Sequence, residues 1–254
     1  MKGVAMKKLA LAAVGSAALV TAGLAVAGGM DGYKSVTAVS GTFAATTTSG
    51  KTDTRTCTTT DGKTITATRA TYTGTASSGT ADLNGPVTID THSVINTTDS
   101  VGEVDGRLSV AAAAGKTDLQ FTGVYDHGNV AGLATGRAAT HGVQLVANLS
   151  AAFTAGSPGG FSSGKIGGGT SGGSAIELGP GRCAPNKPVH ENADAYGTVT
   201  AASSTSITVA GVTCAVPSTL SAAVVALKPN VDRVHIRCSL LSGTLTLVKL
   251  DKGH

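Results

Sequence analysis

The chain has 254 residues, of which 35 are Gly and none is Trp; aromatic residues make up 3%, charged residues 13% and hydrophobic residues 41%. So little charge excludes a nucleic-acid-binding arm, and so much apolar content excludes wholesale disorder. What remains is a Gly-, Thr-, Ala- and Val-rich β protein, long enough to bury one large core or two smaller ones.

Residues 1–27 read as a signal peptide. Lys2, Lys7 and Lys8 precede the apolar run Leu9 to Val26, which ends in Ala25-Val26-Ala27, an A-x-A site for cleavage after Ala27. An uncut anchor is the rival reading, but Gly15, Ser16, Thr21 and Gly23 dilute the run, and no Cys follows it to carry a lipid. Cleavage removes three of the 19 basic residues and none of the 15 acidic ones, so the formal charge falls from +4 to +1. That predicts a secreted or cell-surface protein with no stable membrane insertion and no source of attraction for nucleic acid.

Residues 33–154 carry short segments of period-two alternation separated by turn signals, with no helical period between them. The stripes are Val87 and Ile89; Leu108, Val110 and Ala112; Leu119, Phe121 and Tyr125; and Val143, Leu145, Ala147, Leu149, Ala151 and Phe153. Asp61-Gly62, Asp105-Gly106 and His127-Gly128-Asn129 carry the residues that tight hairpins need. Gly132 and Gly136 fall on one strand face and suggest close backbone approach in a closed barrel. The expectation is an all-β antiparallel barrel of about eight strands, with an open sandwich as the alternative.

Residues 155–174 read as a Gly/Ser-rich loop or linker, and 175–195 as a connecting segment. Within the former, Gly159 to Lys165 imitates a phosphate-cradling loop, but Ile166 stands where Ser or Thr would bind magnesium. Residues 196–250 then give strands over Gly197–Ala202, Ser206–Val209 and Val212–Val216. A short helix capped by Ser218 and ended before Pro229 follows, then strands over Arg233–Leu240 and Gly243–Lys249. Three strands, a helix and two strands is the order of a small five-stranded OB-like barrel.

Four Cys in an exported chain predict disulfides. Cys214 shares a strand face with Val212 and Val216, and Cys238 shares one with Val234, Ile236 and Leu240, so both thiols point into one core. Cys214 therefore pairs with Cys238, leaving Cys57 for Cys183. No C-x-x-C spacing and no neighbouring His support a metal site instead, and no cofactor motif is present.

The strings GTVTAASSTSITVAGVTCAV, VDRVHIRC and SGTLTLVKL resemble a small OB-like domain of unknown function that recurs in secreted bacterial proteins. TRTCTTTDGKTITATRATYTGTASS, VGEVDGRLSV and GNVAGLATGRAATHGVQLVANLSAAF are similar to an uncharacterised region of exported actinobacterial-type proteins. These shared motifs are turns and strand starts, so the resemblance implies fold and export and carries over no catalytic residue.

Candidate chemistry is sparse. Asp90 and His92 share the polar face of one strand and suit an acid/base or ligand pair, but no third partner can be named and a solvated face is the favoured explanation. Glu103, Asp105 and Arg107 alternate on another strand and would line a pocket if that face pointed into a barrel. Thr64, Thr66 and Thr68 alternate as flat ice- or sugar-binding faces do, but β-propensity suffices, and no aromatic platform accompanies them. Asn96-Thr97-Thr98 and Asn148-Leu149-Ser150 match glycosylation acceptors. With no catalytic constellation, the sequence predicts a non-enzymatic binding or surface module, its partner a cell-wall component or another exported protein. Two alternatives stand beside it: a barrel that encloses and carries or isomerises an apolar small molecule, and a structural cell-envelope protein.

Overall fold

The structure is a computed structural model that describes residues 39–167, 173–179 and 190–252. The signal peptide over 1–27 and Cys183 lie outside the described residues. Eight strands form a closed antiparallel barrel: β1 (Ser40–Thr58), β2 (Thr64–Ser78), β3 (Gly85–Asn96), β4 (Val101–Ala112), β5 (Gly115–Asp126), β6 (Asn129–Arg137), β7 (Gln144–Thr154) and β8 (Gly160–Gly167). Each strand pairs with the next in sequence, and β8 returns to β1.

Alternation decides which face is buried. Val87 and Ile89, Leu108 and Val110, Leu119 and Phe121, and Leu145 to Phe153 at alternate positions all point inward. Val143 precedes β7 and is exposed, so that stripe starts at Leu145. All four Phe of the chain lie in the interior with Tyr72. The Phe161 ring stands 4.6 Å from Phe153, 6.0 Å from Tyr72 and Phe121, and 6.1 Å from Phe43. The interior is a filled core in the manner of a small eight-stranded barrel.

Inward glycines produce the coiling that closure requires. A Cβ on Gly132 would lie 2.1 Å from the Thr122 carbonyl oxygen, and one on Gly136 would lie 2.0 Å from that of Asp118. Neighbouring backbones therefore come closer there than any side chain permits. Gly106 belongs to the same set, with a Cβ placed 2.0 Å from the Asp90 carbonyl oxygen. This corrects the turn expected at Asp105-Gly106, which lies within β4. The turns at Asp61-Gly62 and His127-Gly128 do form, with Gly62 at φ 79° and Gly128 at φ 87°.

The linker reading of 155–174 is corrected most sharply. Gly160–Gly167 is β8, the strand that closes the barrel, with Phe161 and Ile166 buried. The sequence conceals it because three residues of β1, Phe43 to Ala45, oppose the four from Gly164 to Phe161. This is a β-bulge, with Ser163 at φ 52°, and it brings Phe161 and Ile166 to one face although they are an odd number of positions apart.

The connecting segment 175–195 is corrected too, since β9 (Gly173–Gly179) and β10 (His190–Ala202) occupy most of it. The C-terminal part continues with β11 (Ser206–Val209), β12 (Val212–Ala215), α1 (Ser218–Val225), β13 (Arg233–Leu241) and β14 (Thr244–Lys252). Pairing runs β10–β11–β12–β14–β13 and back to β10, the circuit of a five-stranded OB-like barrel, and β9 adds beside β10. Ser218 is the first helical residue rather than the cap, which is Pro217. α1 turns Val224 into a core shared with Ile207, Ile236 and Leu247. Cys214 and Cys238 are bonded within that core, as strand parity predicts, and both are fully buried.

The two barrels share packing. Val101 and Val124, on the outer face of β4 and β5, are buried in the C-terminal core, and β9 packs against β4, β5 and β6. Gly211, in the β11–β12 turn, sits so close to the first barrel that a Cβ there would lie 2.4 Å from the Ala131 Cβ. Among the described residues, no helix is long and apolar enough to cross a membrane.

Candidate functional site

Register brings the sequence candidates together, but on the outside of the first barrel. Asp90 stands opposite Arg107, His92 opposite Asp105, and Val94 opposite Glu103. All of them alternate with inward residues such as Ile89 and Val104, so the pocket expected from an inward polar face does not form from these side chains. His92 Nδ1 lies 3.1 Å from Asp105 Oδ1, and the Thr71 hydroxyl donates to Asp90 at 2.7 Å. Burial, aided by the charge of Asp105, pushes the Glu103 carboxyl above its usual value, while His92 opposes the shift.

The same face holds an ion-pair network centred on Asp118. Arg107 grips Asp118 through Nη2 at 2.7 Å and Nε at 3.2 Å, with Ser109 donating at 2.5 Å and Lys116 at 3.0 Å. Burial works to raise the Asp118 carboxyl, but these donors win and hold it at about 2 against an ordinary 3.8. A depressed carboxylate contributes stability that is complete above its unfolded value and disappears as pH falls through the folded one. Urea titrations should therefore show stability declining from about pH 4 to pH 2, and Asp118→Asn should flatten that part of the curve.

A second cluster lies on the outer face of β10, β13 and β14. Alternation buries Ala193, Ala195, Val234 and Ile236, and so turns Asp194, Tyr196, Arg233, His235 and Arg237 outward. The Arg233 guanidinium stands 5.1 Å from the centre of the Tyr196 ring. His235 Nε2 lies 3.0 Å from Asp194 Oδ1 and its Nδ1 lies 3.7 Å from Asp251, while Arg237 Nε donates to Asp194 at 3.1 Å. Tyr196 is 41% exposed, unlike the rings buried in the first barrel.

A groove of about 640 Å³ opens where β8 joins β1 to β7, lined by Ser40, Thr42, Asn148, Ser150 and Lys165 among others. A smaller cleft of about 210 Å³ lies between Asp126 and Asn129 of the first barrel and Thr213 of β12. Among the described residues, no three His, Cys, Asp or Glu converge to hold a metal.

The chain matches no family model, no curated protein and no solved structure. Its chemistry therefore has to be read from its own geometry.

The strand expected over Gly197–Ala202 starts earlier than its alternation suggests and takes in Tyr196. The partner of that ring, Arg233, becomes visible only once β10 and β13 are paired. Gly160 to Gly164 also spells the G-x-S-x-G pattern of a nucleophile elbow, yet Ser162 lies in the closing strand β8 and not at a strand-to-helix turn. The Gly159 to Lys165 phosphate-loop imitation ends in the same strand. Thr64, Thr66 and Thr68 gain opposite neighbours in Thr58, Thr56 and Thr54, but Thr68 is buried, so the rows do not form one open plane. Asn96 is fully buried and donates to Asp99 at 2.8 Å, which removes it as a glycosylation acceptor.

Proposed function

We propose that this protein is an exported, non-enzymatic binding or surface module that meets a cell-wall component or another exported protein through its outer faces. The observation that carries this reading is the exposed Tyr196 ring under the Arg233 guanidinium, beside His235 and Arg237, on a sheet pinned from behind by the Cys214–Cys238 disulfide. Tyr and Arg are the residues that contact surfaces concentrate, because each offers a large rigid area with a polar end.

Recognition from outside is favoured over an enclosed ligand because the first barrel is packed with interlocked rings, while Arg107, Glu103 and Asp105 face outward. The disulfide suits an oxidising, exported setting. Arg69, Asp90, His92, Arg107 and Gln120 on the outer face, with apolar residues within, reverse the pattern of a membrane-spanning barrel and support a water-facing life.

Co-sedimentation of the mature protein with purified cell-wall sacculi, and cross-linking to exported proteins in culture medium, test the proposal. Tyr196→Ala is expected to weaken the interaction about tenfold or more with the circular dichroism spectrum unchanged. Binding that ignores this substitution would overturn the assignment of the face. A ligand of a few hundred daltons retained in native mass spectrometry would move the function to the barrel interior.

A further inference from the structure

The groove at the barrel seam takes its lining from strand register. Ser150 of β7 stands opposite Lys165 of β8, Lys165 opposite Thr42 of β1, and Thr42 opposite Ser77 of β2. These four alternate with inward residues such as Leu149, Ile166 and Phe43, so they point outward, and all four are exposed. Three strand spacings make the row about 14 Å long. The row beside it runs Asn148, Gly167, Ser40. Its middle position has no side chain, so the surface sinks between Asn148 and Ser40. The resulting opening of about 640 Å³ is the size of a ligand site.

The lining selects the ligand. Hydroxyls of Ser40, Thr42, Ser77 and Ser150 offer donors and acceptors, Lys165 adds one positive charge, and no carboxylate stands among the described lining residues. The carboxamide oxygen of Asn148 is buried with no hydrogen-bond partner among the described residues, and an acceptor left this way calls for a donor. A hydroxyl-bearing ligand supplies one. Ile166 is buried, and the rest of the lining is Ser, Thr, Gly, Asn and Lys, which offers no apolar pocket for the side chain of a peptide. A row of hydroxyls this long suits several linked sugars, and the ammonium suits a carboxylate on one of them.

We propose that this groove binds an acidic oligosaccharide, with Lys165 on its carboxylate and the flanking hydroxyls and Asn148 on its sugar hydroxyls. Without an aromatic ring in the described lining, affinity rests on hydrogen bonds and one charge, so binding is weak and salt-sensitive. The groove shares no described residue with the Tyr196 face, so the two proposals stand or fall separately.

Titration of the full mature protein with trigalacturonic acid at low salt, followed through backbone amide NMR shifts, tests it. Shifts should concentrate around Thr42, Ser150 and Lys165 and shrink as salt is raised. Lys165→Gln should weaken binding at least about tenfold, Lys165→Arg should retain most of it, and Tyr196→Ala should leave it unchanged. Ser150→Asp, which sets a carboxylate beside the ammonium, should weaken it as well, and a dispersed amide spectrum shows that each variant is folded. Maltotriose has the hydroxyls without the charge and galacturonic acid has the charge without the length, so each should bind more weakly than the acidic trimer. A trimer that causes no shifts, or shifts only elsewhere, overturns the inference. Maltotriose or the acidic monomer binding as tightly as the trimer overturns it too, as does Lys165→Gln binding like the wild type.

Discussion

Phe161→Ala is expected to lower the free energy of unfolding by about 3 to 5 kcal/mol, the largest loss from any single side chain of the first barrel. The ring is fully buried and stands within 6.1 Å of four other aromatic rings, so its removal leaves a cavity bounded by Phe43, Tyr72, Phe121 and Phe153. Those rings are held by strands on several sides of a closed barrel and cannot collapse inward to fill it. Urea denaturation with matched slopes measures the effect. In a solvated Gly/Ser linker the same substitution would cost less than about 0.5 kcal/mol, so the experiment separates a closing strand from a linker by a wide margin.

Removal of the C-terminal disulfide should cost nearly as much. Cys214 and Cys238 are separated by 24 residues, and cross-linking a loop of that length restrains the unfolded chain by about 3 to 4 kcal/mol. The bond lies in the OB-like core beside Ile207, Ile236 and Leu247, at no exposure to solvent. The Cys214→Ala/Cys238→Ala variant should retain its strand content at room temperature and lose stability by that amount. Native protein should also resist mild reductant until it unfolds. An equal stability with and without the bond would mean that the unfolded chain already holds these strands together.

Strand parity was enough to predict this disulfide, because both strands alternate cleanly over the residues that flank each Cys. It was enough for the interior stripes of β3, β4, β5 and β7 as well, and Gly132 and Gly136 pointed to closure for the reason the backbone distances bear out. Parity failed where a bulge breaks the count. Between Phe161 and Ile166 the extra residue at Ser163 reverses the face, so two buried apolar residues among glycines looked like noise. It also could not separate an Asp-Gly turn from an Asp-Gly inside a coiled strand, since Gly106 serves the second use and Gly62 the first. The polar candidates were placed on the correct strands and shared the expected faces. Whether such a face looks inward or outward depends on the other seven strands, and the Tyr196–Arg233 contact depends on which strands become neighbours. Neither fact is local to a segment of sequence.

The eighth strand also fixes the order in which the fold can be completed. Strands one to seven zip as successive hairpins, each needing only the segment just before it, whereas the last seam joins Ser40 to Gly167 and waits for nearly the whole barrel. During that wait β1 and β7 both present open edges over an unsealed apolar interior, the condition under which copies pair wrongly. The segment that ends it is rich in Gly and Ser, with weak strand preference of its own, so it gains order mainly when both neighbours already stand in place. A seam made of weak strand formers is expected to open before the rest of the barrel, so amide exchange in β8 should outpace that in β3 to β5.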